Sequence, residues 1–300
     1  MEPLLSTHSE PRLFDCFPFF MELDLLELRL RHLSPLVHRF VLAESAFDFA
    51  GNRKPLHFEL NKERFADFKD RIVHIVVKDL PPKASARWAI QRHQRDQLAR
   101  GLSDANPNDL IMISDVDEIP KMSAIETMRD ALSQRRMFAT FAMDHHVYRL
   151  NLRNKDRGMV NGKERGIITG TRAVRMRDLK IPHLVRQLKR RYWKSAPDWT
   201  DQIPARFNAI AATGRPLPRL HLPDAGWHMH SVGGRDLLKA KWDSFIVDEQ
   251  FQGQTSWDDA FGDALEAGEV AEKLGLERVP LEELPGELSK NPDRYKHLMG

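Results

Sequence analysis

The segment Leu110-Ile111-Met112-Ile113-Ser114-Asp115-Val116-Asp117-Glu118-Ile119-Pro120 constrains the fold more than any other part of the chain. Four consecutive apolar residues suit a strand buried on both faces, and such strands belong to sheets with helices on either side. The run then delivers three carboxylates and a proline to one edge of that sheet. Burying an unpaired carboxylate is expensive, so Asp115, Asp117 and Glu118 must face a cleft, a cation or basic side chains.

Upstream, strand-like and helix-like segments alternate. Arg12–Phe20 reads as a strand and turn, Val37–Ala43 and Arg71–Val77 as further strands, and Leu110–Ile113 as a fourth. Between them, Leu23–Leu33 places Leu23, Leu26, Leu30 and Leu33 on one helical face, and Arg87–Arg100 reads as a second helix. This alternation predicts a mainly parallel sheet, in which functional residues gather outside the carboxyl ends of strands. Pro120 discourages continuation of the strand, and Ser123 with Glu126 forms a capping box ahead of Ile125, Met128 and Leu132. Met137–Leu150 and Gly166–Val174, the latter broken at Gly170, read as later strands. Leu238, Trp242 and Phe245, flanked by Leu237 and Ile246, recur at helical spacing, and Trp257–Leu276 reads as one or two short helices. No long polar linker divides the 300 residues, which predicts one domain over 1–300.

The 46 Lys and Arg residues against 43 Asp and Glu leave a formal charge of +3, no signature of bulk polyanion binding, so no nucleic-acid partner is expected. The single cysteine, Cys16, lies in an apolar context and reads as an inert buried thiol in a reducing compartment. The first twenty residues lack a long apolar run, and no uncharged stretch is long enough for a transmembrane helix. A cytoplasmic protein is the expectation. Arg172–Lys194 carries nine Lys and Arg residues and one acid, Asp178, so peripheral contact with an anionic inner membrane surface is compatible with it.

Asp115 and Asp117 point to opposite faces of an extended chain and share a cation only if the chain turns. The following Glu-Ile-Pro makes that turn credible, and carboxylates with substrate phosphates suit Mn2+ or Mg2+. An acidic helix start is the alternative. A second concentrated site spans Asp224–Gly234. There His228 and His230 share one side of an extended segment, each open to a metal, a phosphate or a structural hydrogen bond. Trp227 reads as wall or core. Arg92 and Arg95 suit an anionic ligand if their helix borders the sheet crevice, although solvation explains Arg95 equally well. Glu44 follows a strand and is open to a sugar hydroxyl or to a local turn contact. Dinucleotide-binding, phosphate-loop, serine-hydrolase and zinc-protease motifs do not occur in their required contexts.

Taken together, these segments resemble glycosyltransferase family 17. The likeness begins at Phe14-Asp15-Cys16-Phe17-Pro18-Phe19-Phe20 and runs through Glu22–Leu30, Phe40–Ser45 and Phe49–Leu56. It continues through Ile75–Pro81 and Ile113–Pro120, and ends in Ala225-Gly226-Trp227-His228, Val232-Gly233-Gly234, Leu284-Pro285 and Arg294-Tyr295.

The resemblance implies an α/β, GT-A-like fold with a Rossmann-like mixed sheet flanked by helices and an irregular acceptor-side C-terminal half. It implies a nucleotide-sugar-binding half over 12–120 and an acceptor and site-completing half over 121–300. The implied reaction is inverting transfer of N-acetylglucosamine from UDP-GlcNAc to a hydroxyl of a glycan or glycoside, assisted by Mn2+ or Mg2+. Mapped onto this chain, it makes Asp117 the primary metal ligand, with Asp115 holding metal or nucleotide, His228 a metal or pyrophosphate contact, and Trp227 near the donor. Arg92 and Glu44 fall to the nucleotide-sugar pocket. Inversion needs a base opposite the leaving UDP. Asp224 is the first choice, with Glu118, Asp144 and Glu164 as alternatives. The absence of a recognisable anchor predicts a bacterial-style cytoplasmic enzyme acting on a lipid-linked sugar, polysaccharide precursor or small glycoside. Another UDP-hexose donor, and a noncatalytic nucleotide- or carbohydrate-binding protein, are the competing readings.

Overall fold

The computed structural model describes residues 10–82, 88–155, 158–160, 163–165, 167–188, 207–230, 232–233, 237, 239–241, 271 and 275–300. Strand β1 (Leu13–Phe19) is buried along its whole length. On one side it meets β2 (Arg39–Ser45), which pairs in turn with β3 (Ile72–Val77), and on the other it meets β4 (Leu110–Ile113). All three pairings are parallel, which requires the crossover segments that the alternating sequence provides.

Those segments are α1 (Leu23–Leu33), the short α2 (His57–Asn61) and α3 (Ala89–Asp96), which tightens into a 3-10 turn over Gln97–Leu102. The single helix expected over Arg87–Arg100 is thus two pieces. Gly101 lies against β2, where an added Cβ would stand 2.4 Å from a Val41 methyl, so the chain can run this close to the sheet only with glycine.

Beyond β4 the chain makes β5 (Glu118–Pro120), α4 (Met122–Gln134), the ten-residue β6 (Phe138–Val147), β7 (Leu152–Asn154), and a separate hairpin of β8 (Gly158–Val160) and β9 (Lys163–Arg165). It continues through β10 (Ile167–Arg175), α5 (Pro182–Arg186), β11 (Arg219–Leu222), β12 (Gly226–His230) and β13 (Leu276–Arg278). The main sheet runs β13-β7-β6-β10-β4-β1-β2-β3, with β11 and β12 laid successively along β6.

Along the main path only β3-β2-β1-β4 is parallel, because β10 runs antiparallel to both β4 and β6; off that path β11 and β12 each run parallel to β6. The mainly parallel sheet read from the alternation therefore describes the first half alone. Between β6 and β10 the described chain forms short strands rather than a helix, and an antiparallel return needs no helical crossover.

Alternate residues feed two cores. Leu13, Phe17, Phe40, Leu42, Leu110 and Met112 join the leucines of α1 and the Ile125, Met128 and Leu132 stripe of α4 on one face. Phe14, Cys16, Val41, Ile111 and Ile113 face Leu98, Leu102 and Val185 on the other. Burial pushes the Cys16 thiol upward, which keeps it protonated and fits the inert thiol expected. Helix α1 buries more than the single predicted face. Leu25 and Leu28 pack against Ile119, Trp227, Leu284, Leu288 and Tyr295, so the C-terminal segment covers its other side.

Two local expectations change at Pro120. Proline lacks an N–H for a ladder, yet β5 is paired on one side only, to β12, and includes Pro120 opposite Gly226. The next N–H, of Lys121, donates to Ala225 O at 2.8 Å, so the ladder runs straight into α4, which starts at Met122. No side-chain cap forms, and the Ser123 capping box is absent. The stripe expected at Leu238, Trp242, Phe245 and Ile246, and most of Trp257–Leu276, lie outside the described residues.

Arg29 of α1 crosses the core to the sheet. Its Nε and one terminal nitrogen donate to the two oxygens of Asp15 on β1, at 2.7 and 2.6 Å, with both side chains fully buried. Replacing Arg29 by leucine strands the Asp15 carboxylate without a counterion. The expected loss is about 3–5 kcal/mol of unfolding free energy, read from the denaturant midpoint. A midpoint within experimental error of the parent would refute the pair's structural role.

Candidate functional site

Arg29 also shapes the turn that follows β4. It donates to Ser114 Oγ at 2.6 Å, to Asp115 O at 3.2 Å and, through the same nitrogen, to Glu118 O. The turn therefore hangs on a buried guanidinium, and its carboxylates diverge. Asp115 lies between two arginines: Arg95 of α3 donates to Oδ1 at 2.5 Å, and Arg186 of α5 to Oδ2 at 3.1 Å. Burial pushes the Asp115 pKa upward, but Arg95 and Arg186 outweigh it and hold the carboxylate well below its ordinary range.

Glu118 is fully buried. One oxygen accepts from Arg186, and the other accepts the Asp115 N–H at 3.1 Å. Burial, with Asp115 nearby, raises its pKa despite Arg186. Its carboxyl occupies the space a side chain at position 170 would need: a Cβ on Gly170 would stand 2.8 Å from the Glu118 carboxyl carbon. The pairing of β10 with β6 shifts register between Thr169 and Arg172, around this glycine, which is the break expected from the sequence.

Asp117 has a different environment. Among the described residues its Oδ1 is buried without a hydrogen-bond partner, as is Nδ1 of His228. His228 Nε2 stands 3.6 Å from that oxygen. Asp117, His228 and His230 each present a ligand atom, and these atoms lie within 4.8 Å of one another. Burial raises the Asp117 pKa, and His228 and Lys241 offset it only in part. One carboxylate and two imidazoles around an unsatisfied oxygen fit a divalent first-row cation, whose charge would relieve the burial of Asp117. Beside them, the His145 ring lies 5.6 Å from both the His228 and His230 rings. Burial and the two neighbouring imidazoles push His145 down to about 4.

Strand β12 brings its histidines to this place by pairing. His228 is opposite Glu118 on one side and His145 on the other, and Met229 N–H donates to Asp117 O at 2.7 Å. Gly226 makes the approach feasible: a Cβ there would stand 2.4 Å from Ile119 O. His228 and His230 share one side, as their spacing predicts.

Other expected site residues are placed differently. Trp227 alternates away from the histidines. Its indole donates to Glu283 O at 2.7 Å and its ring packs edge-on to His32, so it is engaged with α1 and the C-terminal segment. Glu44 is fully buried and already holds Phe58 N–H at 2.9 Å and His74 at 3.1 Å, which leaves it fastening α2 to β2 rather than facing a sugar. Asp115 has both oxygens engaged by arginines and does not join the cluster of Asp117, His228 and His230. Asp224 sits in the turn entering β12, beyond Gly226 from His228, 65% exposed and paired with Lys121 at 2.7 Å. Asp144 is buried beside Arg153 at 3.3 Å, and the side chain of Glu164 lies outside the description.

Arg92 is half-buried on α3, and Arg95 one turn later joins Arg186 in contacting the carboxylate cluster. The basic stretch is also not one solvated face. Arg172 is buried against Leu188 O, Arg186 belongs to the cluster, and Lys189–Lys194 lie outside the described residues. Arg186 and Lys241 were not legible as site residues. Nothing in their local sequence separates them from surface cations, whereas His230 had its two-residue spacing from His228 as a signal.

The sequence profile of glycosyltransferase family 17 matches residues 5–157, half of the chain, including Asp15, Arg29, Arg95 and the whole 114–118 turn. The chain belongs to glycosyltransferase family 17. Two relatives are the beta-1,4-mannosyl-glycoprotein 4-beta-N-acetylglucosaminyltransferases of Homo sapiens and Rattus norvegicus, each 29% identical over 111 residues. That match covers 35% of this chain and only 21% of either relative's length. Among solved structures, HddC from Yersinia pseudotuberculosis complexed with GMP-PN is similar at a TM-score of 0.41 and 9% identity, covering 78% of this chain and 99% of that one. The 4-diphosphocytidyl-2C-methyl-D-erythritolsynthase of Anaerococcus prevotii is similar at 0.38 and 10%, covering 76% and 95%.

His32 of α1, beneath Trp227, provides a pH test of this family member's scaffold. Burial pushes its pKa from 6.5 down to about 4, and its Nε2 has no hydrogen-bond partner. The unfolded chain takes up this proton near pH 6.5 while the folded one resists until about pH 4. Stability contributed by neutral His32 is therefore complete above pH 6.5 and declines as pH falls towards about 4. The decline reaches at most about 3 kcal/mol. Denaturation midpoints of His32→Leu should fall less steeply across that window than those of the parent, and parallel slopes would disprove the assignment.

Proposed function

We propose that this glycosyltransferase is GT-A-like and transfers N-acetylglucosamine, with inversion, from UDP-GlcNAc to a hydroxyl of a glycan or glycoside, lipid-linked acceptors included. The observation that carries the reading is the buried, unpartnered Asp117 oxygen facing His228 and His230 beyond the carboxyl end of a parallel strand. Asp117, His228 and His230 would hold Mn2+ or Mg2+, and when bound the ion offsets charge on the departing diphosphate. Imidazole donors favour Mn2+ of the two.

In this reading the described residues have separate tasks. Arg95 and Arg186 keep Asp115 ionised and immobile, so the turn presents Asp117 at a fixed depth. Glu118 orients Arg186 and the turn backbone from below and is not assigned as the base. Gln94 donates to Phe19 O at 3.1 Å and Ala43 O at 2.8 Å, tying α3 to the carboxyl ends of β1 and β2, where the nucleotide would lie. The half over 12–120 then binds nucleotide sugar, and 121–300 completes the site with the β12 imidazoles and receives the acceptor. Among the described residues no helix is long and apolar enough to cross a membrane, so a lipid-linked acceptor would be met at the surface.

The test is a donor panel with Mn2+, Mg2+ or chelator, scored for both UDP release and a sugar-bearing product. UDP-GlcNAc with Mn2+ should be the most active combination, and chelator should abolish turnover. Asp117→Asn should lower metal-dependent turnover on the order of a hundredfold while the folded-state spectrum is unchanged. Parent-like activity in that variant would reject the ligand assignment, and UDP binding without transfer to any acceptor would reject the enzymatic reading.

A further inference from the structure

Asp117 has a charged neighbour that the metal ligands leave unexplained. Lys241 Nζ stands 3.9 Å from Asp117 Oδ2 and 2.7 Å from Glu22 Oε1, with the lysine side chain 14% exposed. Glu22 is itself fixed, because its other oxygen accepts the Met21 N–H at 2.9 Å and the Phe20 N–H at 3.3 Å where the chain leaves β1 for α1. The ammonium is thereby anchored to the same sheet edge as the turn after β4. The two oxygens of Asp117 face different groups: Oδ1 looks to the His228 imidazole and Oδ2 to the Lys241 ammonium. Glu22, which holds the ammonium, also lines a cleft with Met21, Asp24, Arg64, Val232 and Leu237.

An ammonium in this place acts in opposite directions on two ligands. A divalent ion held by Asp117, His228 and His230 shares its carboxylate with Lys241, and two cations this close repel strongly in a partly buried site. Lys241 also neutralises part of the charge that would attract the ion. A diphosphate bound beside both would reverse the sign, because its negative oxygens would attract the metal and the ammonium alike. We propose that Lys241 couples the two ligands: it opposes the metal ion alone and joins the metal in binding a nucleoside diphosphate, so that each ligand raises the affinity for the other. The inference rests on the metal-assisted reading above and adds to it a residue that positions the leaving diphosphate. Reciprocity of the coupling follows from linkage.

The experiment is titration of the full chain with Mn2+, with and without saturating UDP, by calorimetry and by the magnetic resonance signal of free Mn2+. In the parent protein UDP should tighten Mn2+ binding by about tenfold or more. Lys241→Met should bind Mn2+ alone about tenfold more tightly, with the effect of UDP shrinking towards none. Lys241→Gln, which removes the charge but keeps a polar side chain, should do the same and guards against a loss of fold in the first variant. Glu22→Gln releases the ammonium towards Asp117 and should weaken Mn2+ binding. A merely structural role would move the metal affinities of the lysine and glutamate variants in the same direction. Unchanged or weakened Mn2+ binding in both lysine variants, or coupling to UDP that survives in them, overturns the proposal. Failure of the parent protein to take up either Mn2+ or UDP overturns it together with the metal-assisted reading, whereas uptake of both with intact coupling in the variants overturns the role of Lys241 alone.

Discussion

The Arg29 guanidinium, fully enclosed between α1 and the sheet, is the contact from which the site is built. A buried ion pair contributes little net stability, because desolvation consumes most of the Coulombic gain. Its value here is geometric. The fork engages Asp15 with two hydrogen bonds and has donors left for Ser114 and the carbonyls of Asp115 and Glu118. Carbonyls in a buried turn need partners, and a planar group with fixed donor directions supplies them in one arrangement only. The path of the chain after β4 is therefore dictated from behind, and the directions of Asp115 and Asp117 follow from it.

Those two carboxylates, two residues apart, end in opposite electrostatic states. Asp115 has an arginine for each oxygen and stays charged whether or not anything binds. Asp117 is buried, faces an imidazole at 3.6 Å and an ammonium at 3.9 Å, and makes no hydrogen bond through Oδ1. A group in that condition gains most from an added cation, because a direct ligand bond replaces interactions that are too long to offset desolvation. The site thus separates a carboxylate held by two arginines from one left with longer contacts, through the number of arginines each reaches.

The strands β1 to β4, α1 and the acidic turn were legible in the sequence because each depends on local pattern: uninterrupted apolar runs for strands covered on both faces, a 3.6-residue period for the helix, and acids where burial ends. The reversal of strand direction at β10 was not, since it is set by what lies between β6 and β10 rather than by either strand's composition. The pairing of the cluster's arginines with Asp115 was hidden for a similar reason. Arg95 lies 20 residues from Asp115 and Arg186 lies 71, and on helices with further basic residues both resemble solvated side chains. Trp227 shows the opposite case. Strand alternation already requires it to face away from His228, and parity prevails over its association with the histidines in the motif.

The distance between Asp117 and His228 is consequently a property of the backbone more than of rotamers. The carboxylate comes from the turn after β4 and the imidazole from β12, more than a hundred residues later in the chain. They are joined by a ladder in which Met229 N–H donates to Asp117 O at 2.7 Å and Gly226 lies where a side chain would strike Ile119 O. Pro120, at the end of that ladder, adds no donor that the free edge of β5 would have to satisfy. A metal ligand set spread over two distant segments usually risks being loose, because each segment can shift independently. Here the segments hydrogen-bond to each other at Asp117 itself, so a shift of β12 relative to the turn would break sheet hydrogen bonds before it changed the distance between Asp117 and His228.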